Sequence, residues 1–534
     1  MDCIFKLERV KNAANTNVNE YPIFNRNCIL NTTMSKEPNK MMTIRKKLLI
    51  IFSIGLVLTI IGLTTGILWF MIYSSILNTQ LSLTPTSTSY KLWEITPIPM
   101  YLKIYMFNLT NYEDFISNNE SKAKPNFVEM GPYVFREVDY KVEQKWHDND
   151  TITYQRKRVW HFDKSLSKGD LNDKVTNINP VTASVGYALR HKKPIFRDIV
   201  DRVMKSVGQQ LIITKSVNEL LFEGYEDTIL QIAQKINFTE IPFTKFAWFY
   251  GRNGSASYDG TFNMLTGKSN LLDVGIVKEW NFNNRVSYYP GECGEIRGTN
   301  GDLWPPLPDN KTVSFFVPDI CTSMSVTYDN TTIHEGLIGV RYISDDTTFD
   351  NGSIVPSRSC YCEGECVPSG ALNISLCKWG APAFISLPHF YLADPSYREN
   401  INGMKPSKEK HELSISIEPK TGVPLNVHAQ LQLNLLIQPD HEMSIFKNIK
   451  KTFIPMLWFT QEAYLTSNYA HIIKFIIILE SLGSITCYGI ACIGILIIST
   501  GIFLYIKHGL AEEDNQVLLS SKSNENDDIG TVNE

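Results

Sequence analysis

The chain has 534 residues, 20% of them charged and 43% hydrophobic, which excludes a disordered or fibrous protein. Its formal net charge of −4 argues against a nucleic-acid binder driven by bulk positive charge. Ten cysteines are too few for a disulfide mini-protein, so their placement says more than their number.

Residues 48–73 form a run of 26 without a charge. As a helix this run rises about 39 Å, more than the roughly 30 Å hydrocarbon core of a bilayer. Trp69 and Tyr73 stand near its end, where amphipathic rings prefer the interface. Segment 1–47 carries nine Lys/Arg against four Asp/Glu, with Arg45, Lys46 and Lys47 directly before the run. Positive flanks stay cytosolic, so 1–47 is predicted to be a cytosolic tail and 48–73 a first transmembrane helix. The run is too long for the apolar stretch of a signal peptide, and no small-x-small site follows it, so the anchor is expected to be uncleaved. Met34, Met41 and Met42 offer starts that would shorten the tail.

Residues 74–480 are then predicted to be an ectodomain on the lumenal or extracellular side. It holds nine Asn-x-Ser/Thr acceptors: Asn108, Asn119, Asn149, Asn237, Asn253, Asn310, Asn330, Asn351 and Asn373. Composition alone would give about four, so the excess favours a glycosylated face. Acceptors need surface positions. Extended, alternating stretches include 133–136, 152–154, 313–317, 325–328, 413–417 and 427–436. Residues 194–235 read as helical, from Ile195, Ile199, Val203 and Val207 at four-residue spacing to Ile229, Ile232 and Ala233. No long linker interrupts residues 90–445, which favours one large α+β domain.

Within the helical stretch, Arg190, Lys192, Lys193, Arg197, Arg202 and Lys205 face only Asp198 and Asp201, with His191 beside them. This is either a solvated helix face or a docking face for anionic lipid or lipoprotein. Farther along, six cysteines cluster: Cys293, Cys321, Cys360, Cys362, Cys366 and Cys377. An even number in an oxidising lumen suggests three disulfides, and spacing leaves 15 connectivities open. Zinc at Cys360, Cys362 and Cys366 is the alternative, with which oxidation competes.

A second uncharged run of 26, residues 481–506, is predicted to return the chain through the membrane. The tail 507–534 is then cytosolic, with seven acids and two lysines. In it, Asp514 precedes Leu518 and Leu519, a spacing that resembles the acidic di-leucine signal read by clathrin adaptors. The sequence lacks His-Glu-x-x-His, Gly-x-Ser-x-Gly, Walker and Gly-x-Gly-x-x-Gly motifs, so neither an enzyme nor a cofactor is expected. A two-span nucleotide hydrolase of the apyrase type should carry a set of Asp-x-Gly-Ser loops, and the sequence has a single match, Asp350-Asn-Gly-Ser353, which also reads as a glycan acceptor. A two-span channel shares the topology, but Ser481, Ser484 and Thr486 fit helix packing as readily as a pore.

Several motifs, in order, resemble the class B scavenger receptor family, which includes the lysosomal integral membrane protein and the insect sensory neuron and epithelial membrane proteins. They are Leu92-Trp-Glu-Ile-Thr-Pro-Ile-Pro, Gly131-Pro-Tyr-Val-Phe-Arg, Asn218-Glu-Leu-Leu-Phe-Glu-Gly-Tyr, the cysteine block, Phe384-Ile-Ser-Leu-Pro-His-Phe, and Ile417-Glu-Pro-Lys-Thr-Gly. The insect branch is the most similar in these motifs. The resemblance implies an antiparallel β-barrel-like ectodomain with a helical apex bundle over residues 186–238. It further implies an internal hydrophobic tunnel for fatty acid, sterol or related lipid, and the pairings Cys293–Cys360, Cys321–Cys377 and Cys362–Cys366. Vertebrate members place lysines near the tunnel mouth. Here Ser206 and Gly208 hold those positions, with Lys205 one residue away. The implied function is a receptor that docks lipid or lipoprotein at the apex and passes lipid toward the membrane. The implied place is the plasma membrane, with cycling to endosome or lysosome. The alternative within the family is a trafficking receptor for a lumenal protein.

Overall fold

A computed structural model describes residues 37–116, 123–235, 244–307, 311–362 and 365–527. Cys3, Cys28, Met34, Asn119, Asn237 and Asn310 lie outside the described residues. The chain forms two compact units, one built from the chain up to Phe70 and from Leu482 onward, and one of Met71–Ser481.

The first unit is a pair of long helices. They belong to the helical stretches Glu37–Leu81 and Ser467–Asp527. Within these, Arg45–Leu81 and Ser467–Leu518 each hold an 18-residue segment of high mean hydropathy, 2.5 and 2.3 respectively, and are long and apolar enough to cross a membrane. Both helices outrun the 48–73 and 481–506 expected from charge alone. Between Pro38, in the first turn of the first stretch, and Pro85 there is no proline, so nothing in the backbone ends that helix where the apolar run ends. The two pack closely through small residues. A Cβ on Gly62 would lie 2.4 Å from the Ala491 nitrogen, and one on Gly494 would lie 2.4 Å from Thr59 Oγ1.

The second unit is organised by a 13-stranded sheet. Its main path runs through the strands 312–317, 322–334, 337–343, 414–417, 424–437, 452–464, 100–109, 127–146, 151–162, 261–265 and 277–280, with 383–386 added alongside 424–437 and 371–373 alongside 383–386. All these pairs are antiparallel. The stretches with period two supply the strands: 427–436 falls in Pro424–Ile437 and 313–317 in Thr312–Val317. The sheet curls until its ends nearly meet. Thr299 bridges both edges, pairing with Ile276 on one side and Phe315 on the other. Gly298 makes this approach possible. Its φ is +79°, and a Cβ there would collide with the Ser314 carbonyl. Closure removes the exposed edges that an open sheet of this size would present.

A small helical layer caps this barrel. Asn179 caps the helix Pro180–Leu189 through its side chain, with Pro180 at the first turn. The helices Pro194–Ser206 and Thr228–Lys235 follow. The segment 194–235 is therefore not continuously helical. Gly208, at φ +69°, ends one helix, and the β-branched run 212–214 pairs as a strand with Lys174–Ile178.

The structure joins Cys293 to Cys360, Cys321 to Cys377 and Cys362 to Cys366. The sulfurs a zinc site would need are thus oxidised. Among the acceptor asparagines, Asn149, Asn253 and Asn330 are exposed and Asn108 is half-buried. Asn351 and Asn373 are corrections to the sequence reading. Both are buried, and the Asn351 Nδ2, the atom a glycan would occupy, donates to the Val367 carbonyl at 2.6 Å. A glycan needs open space at that atom, which the fold fills.

Candidate functional site

The main candidate is a cavity of about 500 Å³ between the helical layer and the barrel wall. That volume is within the roughly 300–1,000 Å³ of small-molecule sites. Its roof follows helical spacing. Val181, Val185 and Ala188 turn one face of their helix to it, and Phe196, Ile199, Val200 and Val203 do the same on the next. Its floor follows strand spacing. Ala383 and Ile385, Leu433 and Leu435, and Leu457 and Phe459 are alternate residues on three neighbouring strands, with Ala383 opposite Leu435 and Leu433 opposite Leu457. Two periodicities thus converge on one apolar space. The helix Pro194–Ser206 forms an open lip, because Ile199 and Val203 line the cavity and are still 52% and 38% exposed.

One end of the lining is polar. Arg252, Tyr258, Asp319 and Lys378 line it. Arg252 bridges Asp319 at 2.7 Å and Asp259 at 2.8 Å, and Arg158 reaches Asp259 at 2.6 Å. Burial alone would raise the Asp319 carboxyl, but Arg252 and Arg158 hold it low. Both aspartates therefore stay ionised and already serve arginines. Lys378 forms no ion pair among the described residues. Burial pushes its ammonium below the ordinary lysine range, and Asp319 opposes part of that shift. Arg158, Arg252 and Lys378 against Asp259 and Asp319 leave this end one positive charge in excess. Such a site suits an apolar chain that carries one acidic head.

The basic stretch of the helical layer is largely neutralised by the protein itself. Arg197 pairs with Asp440 at 2.8 Å, Arg202 with Asp198 at 2.7 Å and Lys205 with Asp201 at 2.7 Å. The Arg190 guanidinium stacks 3.5 Å above the Tyr187 ring. His191, Lys192 and Lys193 remain exposed in the turn between two helices. Among the described residues of the six-cation stretch, Lys192 and Lys193 are the ones left without an ion pair or ring partner, beside Ile195, which is 70% exposed. Ser206, Gly208 and Lys205 are exposed and outside the cavity lining. Sequence reading found the helical spacing within 194–206 and 228–235 but missed the strand between them and missed Lys378. Its only local mark is the adjacent Cys377, which gives no hint of a cavity. At the other end of the chain, Asp514 and Leu518 lie exposed on the helix Ser467–Asp527, and the Leu519 side chain lies outside the described residues.

Comparison with known proteins agrees with this architecture. The CD36 family model matches residues 53–505. Protein peste of Drosophila melanogaster is 34% identical over 421 residues, covering 78% of this chain and 75% of its own. Scavenger receptor class B member 1 of Rattus norvegicus is 32% identical over 418 residues, covering 76% and 80%. Lysosome membrane protein 2 of the same species is 32% identical over 390 residues, covering 72% and 79%. Two apolar helices, a nearly closed antiparallel barrel and this breadth of match lead to one assignment: the chain belongs to the CD36 family of class B scavenger receptors.

Proposed function

We propose that this protein is a non-catalytic lipid receptor. Lipid or a lipoprotein meets the apex near His191, Lys192, Lys193 and the apolar lip. An acyl lipid then enters the cavity and continues through the ectodomain toward the bilayer. The observation that carries this reading is the cavity itself, apolar on helices and strands and cationic at Lys378. A dry path matters because each methylene exposed to water costs about 0.8 kcal/mol, on the order of ten kcal/mol for a long chain. Both tails are taken as cytosolic, with the plasma membrane as the working site. Asn108, Asn149, Asn253 and Asn330 are retained as proposed glycan acceptors.

Cells expressing the protein should take up isotope-labelled fatty acid faster than control cells, and the label should be recovered in chemically unaltered acid at early times. Hydrolysed or modified cargo appearing outside the cell would contradict a non-catalytic role. A second reading, an endolysosomal trafficking receptor for a lumenal protein, draws on the relatives named lysosome membrane protein and on Asp514 and Leu518 as part of a clathrin-adaptor signal. That reading expects no gain of uptake in the same assay.

A further inference from the structure

Lys378 stands on a rigid turn at the polar end of the cavity. It closes the helical turn Leu376–Lys378, in which the Lys378 and Gly380 N–H groups both donate to the Ser375 carbonyl, at 3.0 and 2.8 Å. The preceding residue, Cys377, is bonded to Cys321. Lys378 shares the cavity lining with the hydrocarbon of Leu457 and Phe459. The carboxylates that act on it, Asp319 and Asp259, are already bridged by Arg252 and Arg158. Among the described residues, the Lys378 Nζ has no hydrogen bond and no ion pair. Trp379, the next residue, also lines the cavity and is 48% exposed, so the lining opens to solvent beside the amine.

A lysine placed in this way is better suited to attack than to support. Burial favours the neutral amine over the ammonium, and the Arg252 guanidinium adds to this by repelling a second cation. The neutral form carries the lone pair that attacks a carbonyl carbon. The two forms exchange, so one residue serves two kinds of head: the ammonium meets a carboxylate, and the amine meets an electrophile. The lining decides what the electrophile is attached to. Hydrocarbon walls accept an alkyl chain and reject a polar body. Carboxylates and esters do not condense with an amine unless they are activated, whereas an aldehyde does.

We infer that Lys378 is a covalent capture site for long-chain aldehydes, which it holds in the cavity as a reversible imine. The inference rests on the reading of the cavity as an acyl-lipid site and adds a second class of cargo to it. The Lys378 nitrogen bonds to the aldehyde carbon, and one amine proton passes to the former carbonyl oxygen, giving a carbinolamine. The C–O bond then breaks, and the hydroxyl leaves with the second amine proton as one water. Nothing is oxidised or reduced. Hydrolysis returns the aldehyde unaltered, so the protein remains a receptor. The apolar lining keeps water from the C=N bond and lengthens the hold relative to an imine in water.

The test incubates the full chain, in mild detergent near neutral pH, with hexadecanal. Cyanoborohydride reduces any imine to a stable secondary amine, and peptide mass spectrometry maps the modified lysines. The expected result is labelling of Lys378 ahead of the exposed Lys192 and Lys193, suppressed at Lys378 alone by excess palmitic acid. Lys378→Arg, which keeps the cation but forms no imine, should still bind palmitic acid and lose the adduct. The wild-type map decides the matter by itself if that variant fails to fold. Label on Lys192, Lys193 or Lys245 with Lys378 bare, in protein that still binds palmitic acid, would overturn the inference and leave the acyl-lipid reading standing. Labelling of Lys378 that palmitic acid does not reduce would put the reaction outside the cavity and also overturn it. Protein that binds neither the acid nor the aldehyde would overturn both.

Discussion

Placing a tryptophan in the cavity, by Val185→Trp or Ala233→Trp, is expected to lower uptake of long-chain lipid at least about tenfold without changing the amount of protein at the cell surface. Both residues line the cavity, on two different helices of its roof. Each added indole fills space that the floor strands cannot vacate, because they are hydrogen-bonded on both sides in a closed sheet. A chain displaced from the path must expose methylenes to water. Two of them cost about 1.6 kcal/mol, more than a factor of ten in rate. Lys235→Trp, at the exposed end of the same helix and outside the lining, is the control and should leave uptake unchanged. Uptake by the cavity variants equal to that of the control would remove the conduit from the account.

The second large effect concerns Lys378. Lys378→Met should weaken binding of a long-chain fatty acid by about 10- to 150-fold, the equivalent of the roughly 1.5–3 kcal/mol carried by a hydrogen bond to a charged group. The methyl ester of the same acid, which has no carboxylate, should bind both proteins equally. Thermal stability should not fall, since the change removes a cation that burial already disfavours. The pH dependence follows from the direction of the shift. Burial lowers the Lys378 pKa, so the ammonium is present on the acid side and is lost as pH rises through that lowered value. Fatty-acid affinity should therefore decline on the alkaline side earlier than an ordinary lysine near 10.4 would allow, and the decline should be absent in Lys378→Met. Calorimetric titration of acid and ester across pH measures both. Equal loss for acid and ester would show that Lys378 acts through packing alone.

The parts of the fold that were legible in the sequence are those with a local period. Residues 427–436 alternate and become a strand whose Leu433 and Leu435 face the cavity. Ile199 and Val203, four apart, become one wall of it. The two uncharged runs announce the long helices, although their ends depend on backbone continuity and not on charge. What escaped the sequence is long-range. Arg197 finds Asp440 across 243 residues, and with that pair a patch that looks strongly basic by counting is mostly neutralised. Thr299 joins the two ends of the sheet from an irregular segment that carries no strand pattern. Asn351 fits the glycan acceptor rule but is buried against Val367, because a tripeptide rule contains no information on burial. Lys378 becomes distinctive only when Asp259 and Asp319 are seen to be taken by Arg158 and Arg252.

The central claim is that the apolar space between roof and barrel holds an acyl lipid with its acidic head toward Lys378. Native mass spectrometry of the full chain, purified in mild detergent and then released from it in the gas phase, measures this most directly. The account expects mass adducts of fatty acid or another anionic acyl lipid on the wild-type protein, depleted in Lys378→Met and absent in Val185→Trp. Wild-type protein free of bound lipid even after incubation with excess fatty acid, or adducts retained in full by the tryptophan variant, would contradict it.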